Sequence, residues 1–185
     1  MSERSGSVKR GRLFFLVGLP QSGKSFVANK WFKKPELDYD FDGGEAQDPI
    51  VTVEKPRVVL GGDDFRHAVH GREFQAESEG LVFATMDVCA KALLDRGFDV
   101  LIDETSTTEA TLCRYLRIDP EATPIWIDTP VEVCKQRALA SGRDYLIRPI
   151  ERMAAQLAHP KANYKEIRAK LLAYLTERKI SDVPI

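Results

Sequence analysis

The sequence predicts an α/β fold, a parallel sheet with helices on both faces, organised as a three-layer sandwich. Two observations lead there. Apolar runs of strand length (Leu13–Val17, Arg57–Leu60, Asp99–Ile102, Pro124–Ile127) alternate with helix-length segments between them. A glycine-rich turn joins the first of these runs to the first helix. The 185 residues suffice for one full hydrophobic core, and 43% hydrophobic with 30% charged residues is ordinary globular composition.

In chain order, Met1–Arg12 is Ser/Gly/Arg-rich and reads as a flexible tail (1–12) before a single domain over 13–185. After strand Leu13–Val17 a helix opens at Gly23, and Pro35 stops it. An acidic insertion over 36–56 follows, with Asp38, Asp40, Asp42, Glu45 and Asp48 around Gly43-Gly44. Its carboxylate spacing does not match a calcium loop, and a solvated insertion is expected. Ile50–Val53 is a candidate short strand, and Arg57–Leu60 a core strand ended by Gly61-Gly62. A helix is expected from about Glu73 to Arg96, with Val82, Met86, Cys89 and Leu93 as its apolar stripe and Gly97 as its cap. Thr108–Arg117 and Val131–Ala140 read as helices, the latter with Pro130 in its first turn. After His159-Pro160 an amphipathic helix carries Tyr164, Ile167, Leu171 and Tyr174 on one side and Lys165, Arg168 and Arg178 on the other. That basic side is either a solvated face of a docked helix or a track for a phosphate backbone.

A net charge of −1 argues against a globally basic nucleic-acid coat. No apolar run reaches membrane-spanning length and none resembles a signal-peptide core, so no membrane partner is expected. Cys89, Cys113 and Cys134, an odd and scattered set, point to a reducing compartment, the cytoplasm. His67, His70 and His159 form no ligand cluster with them.

The chemistry begins at Gly18-Leu19-Pro20-Gln21-Ser22-Gly23-Lys24-Ser25, which satisfies G-x-x-x-x-G-K-[ST] between a strand and a helix start. Backbone N–H groups and the positive end of the helix dipole then face one point, which suits a polyphosphate. The expected ligand is ATP, cradled by Gly18, Pro20, Gln21, Ser22, Gly23, Lys24 and Ser25, with Lys24 on the β- and γ-phosphates and Ser25 on Mg²⁺. The fold class is accordingly of P-loop NTPase type. Ligands of such sheets lie outside the carboxyl ends of the strands, where Asp63/Asp64 and Asp103/Glu104 also fall. Asp63 or Asp64 can activate an acceptor hydroxyl, or cap the helix beginning at Phe65. Asp103 occupies the position of a magnesium-holding acid, and strand alternation sends Glu104 the other way. Arg137, Arg143, Arg148 and Arg152 flank Ser141-Gly142 and Pro149, an arginine-bearing lid over 141–149.

These segments resemble the P-loop kinases related to polynucleotide 5′-hydroxyl kinase. The likeness rests on the loop with Pro20 in its third position and on Asp63-Asp64-Phe65-Arg66, an acid pair, an aromatic and an arginine. It extends to Asp103-Glu104-Thr105-Ser106, where the family has D-x-T-N, and covers about 13–157. The resemblance implies that Asp63 is the general base. Arg66, with Asp64 beside it, would bind the acceptor and hold its phosphate, and Arg137 and Arg143 would be the lid arginines. It implies a kinase acting on a hydroxyl, with a nucleic-acid 5′-hydroxyl expected as acceptor. A nucleotide, a small metabolite or a hydroxymethylated base within DNA is the alternative acceptor, and a non-catalytic ATP-binding module the alternative class.

Overall fold

Four parallel strands in the order β2-β3-β1-β4 form the centre of the chain: β1 (Leu13–Val17), β2 (Arg57–Gly61), β3 (Asp99–Asp103) and β4 (Thr123–Trp126). The computed structural model describes residues 9–31, 56–72 and 74–177. The insertion expected over 36–56 (apart from Pro56), the strand Ile50–Val53, tail residues 1–8 and the end Val183–Ile185 lie outside the described residues.

β1 and β3 are almost wholly buried because both their faces are covered, which is why they read as continuous apolar runs rather than alternating ones. The helices are α1 (Lys24–Trp31), α2 (Gly62–His70), α3 (Glu79–Asp95), α4 (Glu109–Ile118), α5 (Val131–Ala140) and α6 (Ile147–Glu177), with a 3₁₀ turn at Asp144–Leu146. The main core joins Leu13, Phe15 and Val17 of β1 to Met86, Ala90 and Leu94 of α3 and to Leu112, Tyr115 and Leu116 of α4. A second cluster, with Leu16, Leu101 and Ala28, fills the other face of the sheet.

Several expectations need correction. Arg10 and Arg12 do not belong to a free tail: Arg10 pairs with Asp95 at 3.1 Å and Arg12 with buried Asp99 at 2.7 Å. The helix expected from about Glu73 begins only at Glu79, and a separate helix, α2, precedes it, ended by Gly71 (φ 70) in the left-handed conformation that favours glycine. Neither Asp63 nor Asp64 caps α2; Gly61 is the N-cap and both acids sit in the first turn, where negative charge suits the dipole. Pro130 occupies the N-cap of α5, one position before the first turn. Pro160 does not end a helix. It is buried inside the 31-residue α6, which already begins at Ile147 and takes in Pro149 of the expected lid. On α6, Ile167 and Leu171 are buried, whereas Tyr174, on the same side, is 43% exposed. Of the basic side, Arg168 binds Glu121 and the Pro120 carbonyl and Lys165 is exposed, while Lys161, one turn earlier on the helix, binds Asp128. Arg178 lies outside the described residues. Among the described residues no helix is long and apolar enough to cross a membrane.

Candidate active site

The loop after β1 closes on itself before α1 begins. Ser22 N–H donates to the Leu19 carbonyl at 3.1 Å, and Gly18 N–H donates to the Thr105 carbonyl beyond β3 at 3.1 Å. A Cβ on Gly18 would meet Ser22 Oγ at 2.9 Å and Ile127 Cβ at 3.0 Å, so glycine is required for the close approach. Gly23 is required for a different reason, its φ of 102°. Gln21, at φ 63°, holds a left-handed conformation without being glycine, strain of the kind that collects at ligand loops. Ser22 Oγ is buried with no hydrogen-bond partner. Lys24 Nζ donates to the carbonyls of Gly18 at 3.2 Å and Leu19 at 2.7 Å, folded back over the loop. Burial pushes its pKa down, opposed by the negative charge of Asp103.

Strand register brings the acids to this loop. Gly61 of β2 is paired with Asp103 of β3, which places the first turn of α2 beside Asp103. Asp103 is raised above the usual carboxylate range by burial, opposed by Lys24 and by a hydrogen bond from Ser25, with Asp63 and Asp64 adding repulsion. The three sequence segments therefore meet at one end of the sheet. The residues present fit a magnesium triphosphate. Hydroxyl and carboxylate oxygens of Ser25 and Asp103 lie together, a lysine stands beside them, and the positive end of α1 faces the same loop. Two protein oxygens are what a Mg²⁺ that keeps waters and phosphates in its shell requires.

At the start of α2, Asp63 is exposed (side chain 93%) and accepts a hydrogen bond from Arg66 Nη1 at 2.6 Å. The other edge of Arg66 is held by Glu79 of α3 through two hydrogen bonds of 2.7 Å. That pairing keeps the guanidinium charged and fixed in direction. Phe74 lies against Arg66, the guanidinium carbon 5.8 Å from the ring centroid, and its ring is 67% exposed. Asp64 folds back along Gly61, where a Cβ would stand 2.8 Å from its Oδ2.

Glu104 turns away from the loop, as alternation predicts. Its Oε2 accepts from Tyr115 at 2.8 Å and lies 3.8 Å from Arg114, which in turn binds Asp87 at 2.9 Å. Burial raises the Glu104 pKa, with Arg114 opposing.

Arg137 reaches the loop, donating Nη1 to the Gln21 carbonyl at 3.2 Å. Arg143 does not. It is exposed at the link from α5 to the 3₁₀ turn, where its backbone is tied, the N–H donating to the Ala138 carbonyl and the carbonyl accepting from Leu146 N–H. Arg148 and Arg152 are likewise exposed on the first two turns of α6.

Sequence reasoning missed Glu79, Tyr115, Arg114 and Asp87. A signal for Glu79 existed: it precedes Val82 by three and Met86 by seven, so it continues the inward stripe of α3 by one turn. A carboxylate on a buried stripe demands a cation, and Arg66 supplies it.

A family model described as an AAA domain matches residues 13–167. The bifunctional enzyme NodQ of Rhizobium sp. (strain N33) is 26% identical over 132 residues, 70% of this chain and 18% of NodQ. Among solved structures, a chain of the Pnkp1/Rnl/Hen1 RNA repair complex superposes with a TM-score of 0.64 at 22% identity, over 88% of this chain and 49% of that one. The APS kinase CysC of Mycobacterium tuberculosis, in complex with AMPPNP and APS, superposes with a TM-score of 0.50 at 21% identity, over 71% of this chain and 72% of that one. The chain thus spans less than a fifth of NodQ and about half of the repair-complex chain. At these identities the solved structures establish the fold, that of P-loop kinases.

Proposed function

From the premise that the chain belongs to the AAA-domain family and has a P-loop kinase fold, we propose that it transfers the γ-phosphoryl group of ATP to a hydroxyl, with the 5′-hydroxyl of a nucleic acid as acceptor. The observation that carries this is the arrangement of Arg66. Glu79 fixes one edge of the guanidinium and leaves Nη1 shared with exposed Asp63. An acceptor phosphate can take the place of Asp63 on Nη1, which frees the Asp63 carboxylate to accept the proton of the neighbouring hydroxyl. That oxygen attacks the γ-phosphorus as the bond to the β–γ bridging oxygen breaks, and ADP leaves. Lys24 and Arg137 neutralise charge on the transferred group, with Arg143 as the second lid cation. Mg²⁺ at Ser25 and Asp103 supplies further neutralisation of the phosphates when bound. The exposed ring of Phe74 beside Arg66 supports an acceptor that carries a planar base.

The test is transfer of labelled γ-phosphate from ATP to a 5′-hydroxyl oligonucleotide. Asp63→Asn is expected to lose about 10²-fold or more in rate while ATP affinity is kept. Absence of transfer by the unaltered protein rejects this acceptor, and an Asp63→Asn variant that transfers as fast as the parent rejects Asp63 as the base.

One observation favours a second reading, a small hydroxyl acceptor such as a nucleotide or metabolite, or a hydroxymethyl group on a DNA base. The net charge is −1, and Arg168 and Lys161 of α6 are spent on acids of the same chain. A steep loss of acceptor affinity with salt marks nucleic acid, and a flat response a small neutral acceptor. Digestion of labelled DNA separates an end hydroxyl from a base hydroxymethyl.

A further inference from the structure

We propose that Glu104 is a positioning residue for the acceptor side: its carboxylate anchors the N-terminus of α2, and with it Asp63 and Arg66. The functional part of this rests on the phosphotransferase reading above; the anchoring itself does not.

Two unsatisfied partners face each other here. The Glu104 side chain is only 8% exposed, and its Oε1 is buried without a hydrogen-bond partner. That same oxygen would lie 2.6 Å from a Cβ on Gly62, so it packs directly on the first residue of α2. Helix α2, for its part, starts at an N-cap glycine with no side-chain cap. The N–H groups of its first turn therefore present positive partial charge with no side-chain cap, and a carboxylate is the group that end of a helix favours.

Glu104 is rigid enough to serve. Its Oε2 is held by the hydroxyl of Tyr115, a fully buried ring that packs on Phe15 of β1 at 4.8 Å. Arg114 lies on the same oxygen and is itself fixed by Asp87 of α3. The carboxylate is thus a strut from β3 and α4 to the start of α2. Asp64 cannot take this role, because it belongs to α2 and moves with it. Gly62 is followed at once by Asp63, and Arg66 lies one turn further on. Glu104 at the helix start and Glu79 at Arg66 therefore hold α2 at two points.

The identity of Gly62 follows from the same contact. Its backbone is not left-handed, so alanine would otherwise suit a helix position better than glycine. The three atoms nearest a Cβ there all belong to the Glu104 side chain, Oε1 at 2.6 Å foremost, and shortening Glu104 to aspartate should relieve that contact.

The experiment follows amide hydrogen exchange in α1 and α2 for Glu104→Gln, Gly62→Ala, Glu104→Asp and the double variant Gly62→Ala/Glu104→Asp. It adds ATP affinity and KM for a 5′-hydroxyl oligonucleotide. For Glu104→Gln, α2 amides are expected to exchange about tenfold faster with α1 unchanged, ATP affinity to stay within about twofold, and acceptor KM to rise about tenfold. Gly62→Ala is expected to do the same, and the double variant to return to the level of Glu104→Asp alone. Unchanged α2 exchange in Glu104→Gln, or Gly62→Ala and Glu104→Asp effects that simply add, overturns the proposal. A uniform loss in α1, α2 and ATP affinity also overturns it, as that marks a core residue. Should Glu104→Gln fail to fold, the Gly62 pair decides alone. Absent transfer by the unaltered protein refutes the acceptor assignment and leaves the exchange readout to judge the anchor.

Discussion

Arg66 and Glu79 meet fork to fork across the α2–α3 junction, with Nε and Nη2 each 2.7 Å from a separate carboxylate oxygen. Both side chains are mostly buried, at 17% and 13% exposure, so neither charge is well solvated without the other. Glu79→Ala leaves the partly buried Arg66 with exposed Asp63 as its remaining partner among the described residues, and is expected to cost about 2 kcal/mol in denaturant unfolding. With its outer edge released, Arg66 no longer points at the acceptor. Acceptor KM is expected to rise about tenfold with ATP affinity unchanged, measured by steady-state kinetics and by nucleotide titration.

The lid arginines are expected to differ. Arg137 touches the loop through the Gln21 carbonyl, whereas Arg143 stands exposed on the link after α5. Arg137→Ala should therefore lower the transfer rate by about 10²-fold. Arg143→Ala should cost less, unless the link closes on ATP. The two rates, measured at saturating ATP and acceptor, rank the residues; an equal or larger loss at Arg143 would show closure of that link during turnover.

The parts of this site that are local in sequence are the parts that could be read from it. The strand–glycine turn–helix of residues 13–31 announces itself, because φ values of 63° and 102° at Gln21 and Gly23 require a special sequence over a few positions. The opposite directions of Asp103 and Glu104 follow from strand alternation alone. The true start of helix α2 at Gly62 was not legible, since Phe65 and Val69 mark one face by their i, i+4 spacing only from Phe65 onward, and no large apolar side chain precedes them in the helix. Its partners were not legible either. Arg66 finds Glu79 across the Gly71 turn, and Glu104 finds Tyr115 only because α4 packs over β3. Pro160 misled for a physical reason: a missing N–H weakens a helix, yet one removed hydrogen bond does not end a helix whose Ile150, Ile167 and Leu171 are buried.

Phe74 offers a test of acceptor chemistry. A base stacked on an aromatic side chain contributes about 1–3 kcal/mol, or roughly 5- to 150-fold in affinity. Phe74→Ala is expected to raise KM for a 5′-hydroxyl oligonucleotide within that range, and Phe74→Trp to preserve it. An acceptor with an abasic 5′ end should be indifferent to both changes. If Phe74→Ala leaves oligonucleotide KM unaltered, the ring is a surface residue and the support it gives to a base-bearing acceptor is withdrawn.

Ser106 carries strain that can be measured. Its φ is 47°, it is 4% exposed, and its only side-chain hydrogen bond among the described residues, to Tyr115 Oη, is long at 3.4 Å. A left-handed conformation costs a residue with a Cβ about 1–2 kcal/mol, and asparagine tolerates it better than serine, which gives a physical reason for Asn in the D-x-T-N pattern. Ser106→Gly is expected to remove the strain and lose a weak hydrogen bond, for a net gain of about 0.5–1 kcal/mol and a thermal midpoint higher by about 2 °C. Ser106→Ala loses the same hydrogen bond and keeps the strain, so it should fall at or below the parent. The order Gly above Ser above or equal to Ala, read from thermal unfolding, assigns the effect to backbone conformation; a glycine variant no more stable than the alanine variant would assign it to the hydroxyl. Because Thr105, the preceding residue, accepts the Gly18 N–H, relief at this position is also expected to reach the phosphate loop, as slower amide exchange at Gly18.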